Sequence, residues 1–423
     1  MFSLLWTGCQ DKVTESYTAG VPVYMSYQDL RESVKTTDPV TLEKPGKIYF
    51  KDNFIYINEY FKGVHIIDNS NPSSPHEIKF IEIPGNVDIA IKDNLLYADS
   101  YVDLVAIDIS DLASIKEKSR IKNVFPYTTP ANPVKYTEEW PDQTKGVVIR
   151  WDVKTITKDV KPQPYPYPGP IYYDTYQYNE ALTSDFAGAK PSSSASQGGT
   201  TSVGVAGSMA RFAILQNALY VLTSYQIKII DITDANLPVT KDPTISYSGI
   251  ETIFLNEGYM YLGTQTGMTI YETSDPFKPT FVSTYSHVTS CDPVVVEGKY
   301  AYVTLRAGVS CRNTFTNQLD VINIEDKTHP TALKSYGFKE PHGLGIDNHI
   351  LFICDGSDGL KVFDATDVMH ITQNQISNFK DIQATDVIPV NGLLFMIGDD
   401  GFYQYDYTNL QNIKLLSHIE VKK

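Results

Sequence analysis

Six residues with ionisable side chains precede a recurring aromatic residue by nine or ten positions, so each holds the same place in a repeated pattern. They are Asp88, Arg211, Glu251, Asp292, His342 and Asp386. If the repeats close into a ring, these side chains converge on one opening, where carboxylates and a histidine hold a divalent cation or act as acid and base. The alternative, which we favour, is a polar rim around a water-filled funnel without activity. The sequence thus marks a candidate ligand site and assigns to it no catalytic residue, metal or other cofactor.

Other residues with reactive side chains give few signs of catalysis. The chain has no Gly-x-Ser-x-Gly elbow, no phosphate-binding glycine loop, no His-Glu-x-x-His helix and no Cys-x-x-Cys pair. The loop DGSDG at 355–359 contains part of a calcium loop but lacks its terminal glutamate, so we interpret it as a tight turn. Cys354 follows three apolar residues and is expected to be a buried apolar side chain.

The elements that would position these residues form a repeat with two markers. The stretch 86–123 contains four short strands, at 87–91, 95–99, 104–109 and 118–121. An aromatic residue lies in the second strand of each copy, at Tyr56, Tyr97, Tyr220, Tyr261, Tyr302, Phe352 and Phe395. A polar residue ends the third strand, at Asp68, Asp108, Asp231, Glu272, Asn323, Asp364 and Asp406.

The spacing of these markers predicts the fold class. Three of the aromatic spacings are 41 residues, and the longest, 123 residues, contains one period and an insertion. Seven all-β units of about 40 residues, each with four antiparallel strands, predict a seven-bladed β-propeller, with the insertion between the second and third blades. The alternative is an open array or a β-sandwich. We expect the polar marker to accept a hydrogen bond from the backbone N–H two residues on, which fixes the turn into the last strand.

Several of these third strands resemble a known repeat. GVHIIDNSNPSSP (63–75), DLVAIDISD (103–111), IKIIDITDANLP (227–238) and LKVFDATD (360–367) are similar to the Leu-Val-Ile-Val-Asp repeat of bacterial secreted β-propellers. The resemblance covers about 46–421, apart from the insertion, and the fourth and fifth blades depart from it at Glu272 and Asn323. It implies a propeller that is secreted or lipid-anchored, and it brings no catalytic residues with it.

The composition is that of a folded protein without a polyanionic partner. The apolar fraction is 42%, the charged fraction is 20%, and the formal net charge is −15. Nucleic-acid binding relies on Lys and Arg to displace counterions, so this charge argues against it. No stretch of 18 apolar residues is present that would span a bilayer.

The N-terminus resembles the end of a bacterial lipoprotein signal peptide. Gly8 precedes Cys9, and the chain turns polar directly after it, as expected where the cysteine is lipidated. We therefore predict that 1–9 is a truncated signal remnant, that the true start lies upstream, and that 10–45 is a linker or latch. Within it, 21–27 is a strand candidate that would add an edge strand or latch the ring. The alternative is a disordered tail with an ordinary cysteine.

The insertion at 124–208 is expected to lie on one face of the ring. In a blade whose strands are numbered from the axis outward, the links between blades and the loops joining strands two and three share a face. Its Tyr-Pro stretch at 161–178 is either a partner-binding loop or chain lying across the ring. The tyrosines proposed for partner binding are Tyr165, Tyr167, Tyr172, Tyr173 and Tyr176.

Two cysteines should lie on the same face above the fifth blade. Cys291 precedes the blade, and Cys311 is in the loop between its second and third strands. We predict a disulfide between them if the protein is exported, contributing roughly 3 kcal/mol through chain entropy.

These observations favour an exported, lipid-anchored, monomeric propeller on the outer membrane, at the cell surface or in the periplasm. We expect a non-catalytic module that binds a protein or a glycan, touches the membrane only through its lipid, and needs no cofactor. The alternative is a hydrolase or lyase at the channel mouth that uses a divalent metal.

Overall fold

A computed structural model describes residues 13–160, 203–208, 210–223, 225–246, 249–286, 293–307 and 316–422. The chain divides into two compact units, one of residues 1–29 and 127–180 and the other of residues 30–126 and 181–423. Within these units the described residues form thirty-two strands, one α-helix and two short 3₁₀ turns.

Short strands make up most of the described chain. The first part contains β1 (Val13–Met25), α1 (Tyr27–Glu32), β2 (Lys35–Thr37), β3 (Pro45–Lys51), β4 (Phe54–Glu59), β5 (Gly63–Asp68), β6 (His76–Glu82), β7 (Ile89–Lys92), β8 (Leu95–Ser100), β9 (Asp103–Asp108), β10 (Lys116–Ile121), a 3₁₀ turn (Gln143–Lys145) and β11 (Val147–Val160). The middle part contains β12 (Val205–Ala206), β13 (Phe212–Leu215), β14 (Ala218–Thr223), β15 (Gln226–Asp231), β16 (Val239–Ser246), β17 (Ile250–Asn256), β18 (Tyr259–Thr264), β19 (Gly267–Glu272) and β20 (Thr280–Ser286). The last part contains β21 (Val294–Glu297), β22 (Tyr300–Leu305), β23 (Gln318–Asn323), β24 (Thr331–Gly337), β25 (Leu344–Asp347), β26 (Ile350–Cys354), β27 (Leu360–Asp364), a 3₁₀ turn (Ile371–Gln373), β28 (Gln375–Phe379), β29 (Asp386–Val390), β30 (Leu393–Gly398), β31 (Gly401–Asp406) and β32 (Lys414–Glu420).

Seven antiparallel sheets form the blades of a propeller, as predicted. Each blade consists of four consecutive strands, from β3–β6 for the first to β29–β32 for the seventh. The insertion follows β10 and precedes β13, so in chain order it joins the second blade to the third. We call the face at which the innermost strands begin the upper face, and the opposite one the lower face.

The blades are held together by apolar side chains that pack between neighbouring sheets. The seven marker aromatics all lie in second strands and are at most 3% exposed. One buried cluster spans the first three blades, a second joins the fourth to sixth, and a third links the seventh blade to the first. Burial of this kind is what a single four-stranded sheet cannot achieve alone, so ring closure supplies the core.

Two of the marker tyrosines differ in their hydroxyl contacts and form a matched pair. The Tyr220 hydroxyl donates to the Pro276 carbonyl at 2.6 Å, whereas the buried Tyr261 hydroxyl has no partner in the described part of the chain. We expect Tyr220→Phe to lower the free energy of unfolding by about 1–2 kcal/mol, because it strands a buried carbonyl. Tyr261→Phe should be neutral or stabilising, and urea unfolding of both variants measures the difference. Equal losses in the two variants would contradict this assignment.

The polar marker at the end of the third strand fixes the following turn in six blades, as predicted. Its side-chain oxygen accepts the backbone N–H two residues on, at 2.8–3.0 Å, at Asp68, Asp108, Asp231, Asn323, Asp364 and Asp406. Within the described residues Glu272, which has a longer side chain, makes no such bond. The hydrogen bonds lower the pKa of the aspartates, that of Asp231 to about 2. These carboxylates are therefore structural.

The N-terminal region adds strands to both units. Strand β1, which contains most of the 21–27 candidate, pairs along its length with β11 of the insertion rather than with a blade. Strand β2 pairs with β6 and covers the outer edge of the first blade. No helix in the described part of the chain is long and apolar enough to cross a membrane.

The end of the insertion runs through the central channel, contrary to the prediction that the whole insertion lies on one face. Strand β12 pairs with β3 on its channel side. Gly204 N–H donates to the Ile91 carbonyl, and Ser208 Oγ accepts the Leu344 N–H at 2.9 Å. The segment 203–208 therefore contacts the innermost strands of the first, second and sixth blades. The water-filled funnel expected from the sequence is occupied by the chain itself, and we call this segment the plug.

The register of the plug gives its direction. Val203 bridges to Lys92 at the lower end of β7, and the chain then enters β13 from the upper face. Because β10 ends at the upper face, the chain leaves the second blade at the upper face and enters the channel from the lower face.

A substitution at Gly204 is expected to expel the plug. A Cβ at this position would lie 2.2 Å from Cε1 of the buried Tyr49 ring, whereas one at Gly337 would meet nothing within 4 Å. We expect Gly204→Val to lower the free energy of unfolding by about 1–3 kcal/mol and to increase hydrogen exchange of amides in 203–208. Gly337→Ala is the matched control. Unchanged exchange in Gly204→Val would show that the plug is not held by this contact.

Candidate functional site

The structure places five of the six predicted residues at the upper end of the channel. Asp88, Arg211 and His342 lie just before the innermost strands of their blades, and Glu251 and Asp386 lie at the start of theirs. Four of the five are at least nine-tenths buried, at 0–9% exposure: Asp88, Glu251, His342 and Asp386. The sixth, Asp292, lies outside the described residues.

Asp88 and Asp99 are the centre of a buried hydrogen-bond network. Asp88 accepts the backbone N–H of Arg211 at 2.6 Å and that of Ile89 at 2.7 Å. Asp99, in the second strand of the same blade, accepts the N–H groups of Val87 and Asp88 and the side-chain amide of Asn86, at 2.7–3.0 Å. These bonds connect the second blade to the point where the insertion enters the third.

Burial shifts the pKa values of this network toward the neutral forms. Burial lowers the pKa of Lys47, against the attraction of Asp88, and raises the pKa of Asp88, against the attraction of Lys47. Burial likewise raises the pKa of Asp99 to about 6, against the N–H donors of Asp88 and Val87. Arg211 and Asp386 also act on Lys47 electrostatically. Lys47, Asp88, Asp99, Arg211 and Asp386 thus form one charge cluster, which we call the mouth cluster.

Two members of the mouth cluster are missing from the sequence prediction. Lys47 has the same position in the first blade as Asp88 has in the second, so the repeat register identifies it. Asp99 lies two residues after its marker aromatic, in a strand otherwise read as core, and only the pairing of β7 with β8 brings it to Asp88.

A second group of charged residues lies beside the mouth cluster, between the fifth and sixth blades. Arg306 follows β22, and its Nη1 is 3.5 Å from Nε2 of His342. The Asp386 carboxylate lies against the neighbouring Gly343, where a Cβ would be 2.6 Å from its Oδ1. The two groups therefore adjoin at the upper mouth. Among the described residues, no three His, Cys, Asp or Glu side chains are grouped so that they could hold a metal ion.

Other sequence predictions fall partly outside the described residues. Cys9, the cysteine pair 291 and 311, and all five tyrosines of the Tyr-Pro stretch lie there. Cys354 is fully buried, as expected. The DGSDG loop is a tight turn, as expected, in which Gly359 N–H donates to the Gly356 carbonyl and Asp355 accepts the N–H groups of Lys339 and Glu340.

Comparison with solved structures supports the fold. The periplasmic gluconolactonase of Pseudomonas aeruginosa is 9% identical, with a TM-score of 0.54, over 88% of this chain and 96% of that one. Kluyveromyces lactis Hsv2 is 10% identical, with a TM-score of 0.49, over 89% and 100%. BamB from Moraxella catarrhalis is 10% identical, with a TM-score of 0.45, over 87% and 84%. At 9% identity the gluconolactonase match shows a shared fold alone.

Sequence comparison identifies the repeat. No curated protein sequence matches the chain. The LVIVD repeat family model matches residues 46–81, 85–123, 251–287 and 290–337, which correspond to the first, second, fourth and fifth blades. The chain therefore contains LVIVD repeats in four of its blades and folds as a seven-bladed β-propeller.

Proposed function

We propose that the protein is a non-catalytic recognition module whose upper face binds a protein or a glycan. The observation that supports this proposal is that acidic side chains at the channel mouth are already hydrogen-bonded within the fold. Asp88 and Asp99 accept five hydrogen bonds from the fold itself, and they share their burial with Lys47. The plug runs through the channel below. Acids held in this way stabilise the ring and are poorly placed to exchange protons with a substrate.

A cross-linking experiment with matched positions tests this function. Lys380 is exposed on the upper face, and Lys299 is exposed in a turn of the lower face. With a benzophenone amino acid at either position, we expect adducts in native envelopes from position 380 and not from position 299. Adducts from both positions alike, or from neither, would contradict an upper-face recognition site.

A turnover assay tests the alternative of a hydrolase or lyase. We expect no product from a panel of chromogenic glycosides, esters and lactones, D-glucono-lactone included. If one of these compounds is turned over, and Asp88→Asn abolishes the turnover while the variant remains folded, the protein is an enzyme and the proposed function is wrong.

We also propose that the protein is exported and anchored through a lipid on Cys9. The Gly8-Cys9 pair and the polar chain that follows support this. With the native gene and its upstream region, an alkyne palmitate label should enter the wild type and not the Cys9→Ser variant. Equal labelling, or an intact unlipidated residue 1 in protein from native membranes, would exclude this anchor.

A Cys291–Cys311 disulfide in the exported protein remains a prediction, to be checked by non-reducing peptide mapping.

A further inference from the structure

A cavity lies at the seam where the seventh blade meets the first, and we call it the seam cavity. Its volume is about 220 Å³. Its apolar walls come from the first blade, from the last strand of the seventh and from the segment before β3, and they include Ile57, Ile67, Ile419 and Leu42. A cavity of about 150 Å³ admits benzene, so the seam cavity has room for a ligand of about eight non-hydrogen atoms.

One wall of the seam cavity is polar and contains His65 and Glu77. The His65 side chain is 2% exposed, and its two ring nitrogens face the carboxylates of Glu77 and Glu59. Because each nitrogen meets an acceptor, the imidazole is held as a cation. One cation is thus shared by two carboxylates, and this group of three side chains has a net charge of −1.

The Glu77 carboxylate keeps one oxygen for a ligand. Its Oε1 accepts the His65 Nδ1–H at 2.8 Å and the backbone N–H of Val40 at 3.4 Å. Its Oε2 accepts no hydrogen bond from the part of the chain that the structure describes. The side chain lines the cavity and is 19% exposed, so a donor that enters the cavity can reach this oxygen.

The charges around the seam cavity favour a cationic ligand over a neutral or anionic one. The two charged residues at its rim, Glu420 and Lys422, are exposed and have opposite signs. The excess negative charge therefore belongs to the His65 group, beside apolar walls. A cation with an aliphatic chain would neutralise this charge and cover the walls, whereas an alcohol would leave the charge uncompensated and an anion would add to it.

We propose that the seam cavity binds a small primary alkylammonium compound. The ammonium group donates to Glu77 Oε2, and the alkyl chain packs against Ile57, Ile67 and Ile419. The inference goes beyond the proposed recognition function, because the cavity is formed by residues that take no part in the channel mouth. It holds whether or not the upper face binds a partner.

The test uses full-length protein with labelled histidine and three probes of matched length, n-heptylamine, n-heptanol and heptanoate. At pH 6 the amine is an ammonium ion and His65 is a cation. We expect n-heptylamine to shift the NMR signal of the His65 imidazole saturably and to leave that of His349, on a lower-face turn of the sixth blade, unchanged. Because a hydrogen bond to a charged group is stronger than one between neutral groups, its affinity should exceed that of n-heptanol about tenfold or more. Heptanoate should bind more weakly than the alcohol.

Two variants separate the charge of the site from its shape. Glu77→Gln keeps an acceptor for His65 but loses the negative charge, so it should weaken n-heptylamine binding about tenfold and leave n-heptanol binding unchanged. Ile419→Phe fills the cavity and should abolish the binding of both compounds. Leu415→Phe, at a 53% exposed position of the same strand, is the control and should bind both like the wild type.

Three results would overturn the site. One is n-heptanol or heptanoate binding as tightly as n-heptylamine, and another is wild-type amine affinity in a folded Glu77→Gln variant. The third is the absence of any saturable shift of the His65 signal. If Glu77→Gln does not fold, the comparison of amine with alcohol in the wild type tests the charge, and Ile419→Phe tests the position.

Discussion

Replacing Asp88 by alanine is expected to lower the free energy of unfolding by about 3–5 kcal/mol, the cost of removing one partner from a buried charged pair. The Asp88 carboxylate is 2% exposed and interacts with Lys47, which is 5% exposed. It also accepts the N–H groups of Arg211 and Ile89. The variant therefore removes the acceptor of two backbone N–H groups and the negative charge that acts on the buried Lys47 amine. Urea unfolding followed by intrinsic fluorescence measures the loss.

Two comparisons make this expectation specific. Asp88→Asn keeps an acceptor oxygen and should lose less than Asp88→Ala. Asp38→Ala removes a 92% exposed carboxylate that pairs with Lys79, and it should change the free energy of unfolding by no more than about 0.5 kcal/mol. If Asp88→Ala resembled Asp38→Ala, the mouth cluster would not be structural, and its carboxylates would again be candidates for catalysis.

The ring was predictable from the sequence because its markers are local. An aromatic in the second strand packs between sheets in every blade, so Tyr97 and Phe395 are buried for the same reason and recur at nearly the same spacing. The polar marker bonds two residues ahead, so its role follows from short-range turn chemistry. Glu272 shows the limit of this prediction. It occupies the marker position in the fourth blade, but in the described part of the chain it accepts no hydrogen bond from the backbone N–H two residues on.

The plug and the mouth cluster were not predictable in this way, because they depend on contacts between distant segments. Residues 203–208 have small side chains, and their apolar and polar residues do not alternate with a fixed period. This is the composition of a linker. Their position is set by Tyr49, Ile91 and Leu344, which belong to three different blades. The electrostatic interaction between Lys47 and Asp88 likewise arises only after the first and second blades pack together.

The first blade also contains a buried histidine whose contacts help to close the ring. His65 lies between two carboxylates, with Nδ1 2.8 Å from Glu77 Oε1 and Nε2 3.2 Å from Glu59 Oε2. Because both ring nitrogens face carboxylates, the imidazole is a doubly protonated cation. Glu59 in turn accepts the N–H groups of Glu43 and Lys44, at 3.1 and 2.7 Å.

This arrangement connects the two ends of the propeller. The segment held by Glu59 includes Leu42, whose carbonyl accepts the Lys422 N–H at 2.9 Å. Leu42 packs in the cluster that joins the seventh blade to the first. No strand is shared between these blades, so the segment 42–44 and its carboxylate contacts help to close the ring.

The pKa shifts of the pair set the pH range over which it stabilises the fold. Burial alone would lower the pKa of His65, but the hydrogen bonds to Glu59 and Glu77 outweigh it and raise the pKa above 6.5. Burial alone would raise the pKa of Glu59, but the donors from His65, Glu43 and Lys44 lower it below 4.5. The histidine contribution is therefore complete below pH 6.5 and is lost as the pH rises through its folded pKa. The Glu59 contribution is complete above pH 4.5 and is lost in acid.

Replacing His65 by glutamine should therefore cost the most between these two limits. At pH 6 we expect His65→Gln to lower the free energy of unfolding by about 3–5 kcal/mol, since it leaves Glu59 buried without its cation. The difference between wild type and variant should shrink as the pH rises from 6.5 to 9. His76→Gln, which changes an exposed histidine of the same blade, is the control and should show no such trend. Urea unfolding at a series of pH values measures both, and a difference that stays constant or grows with pH would show that His65 is not held as a cation.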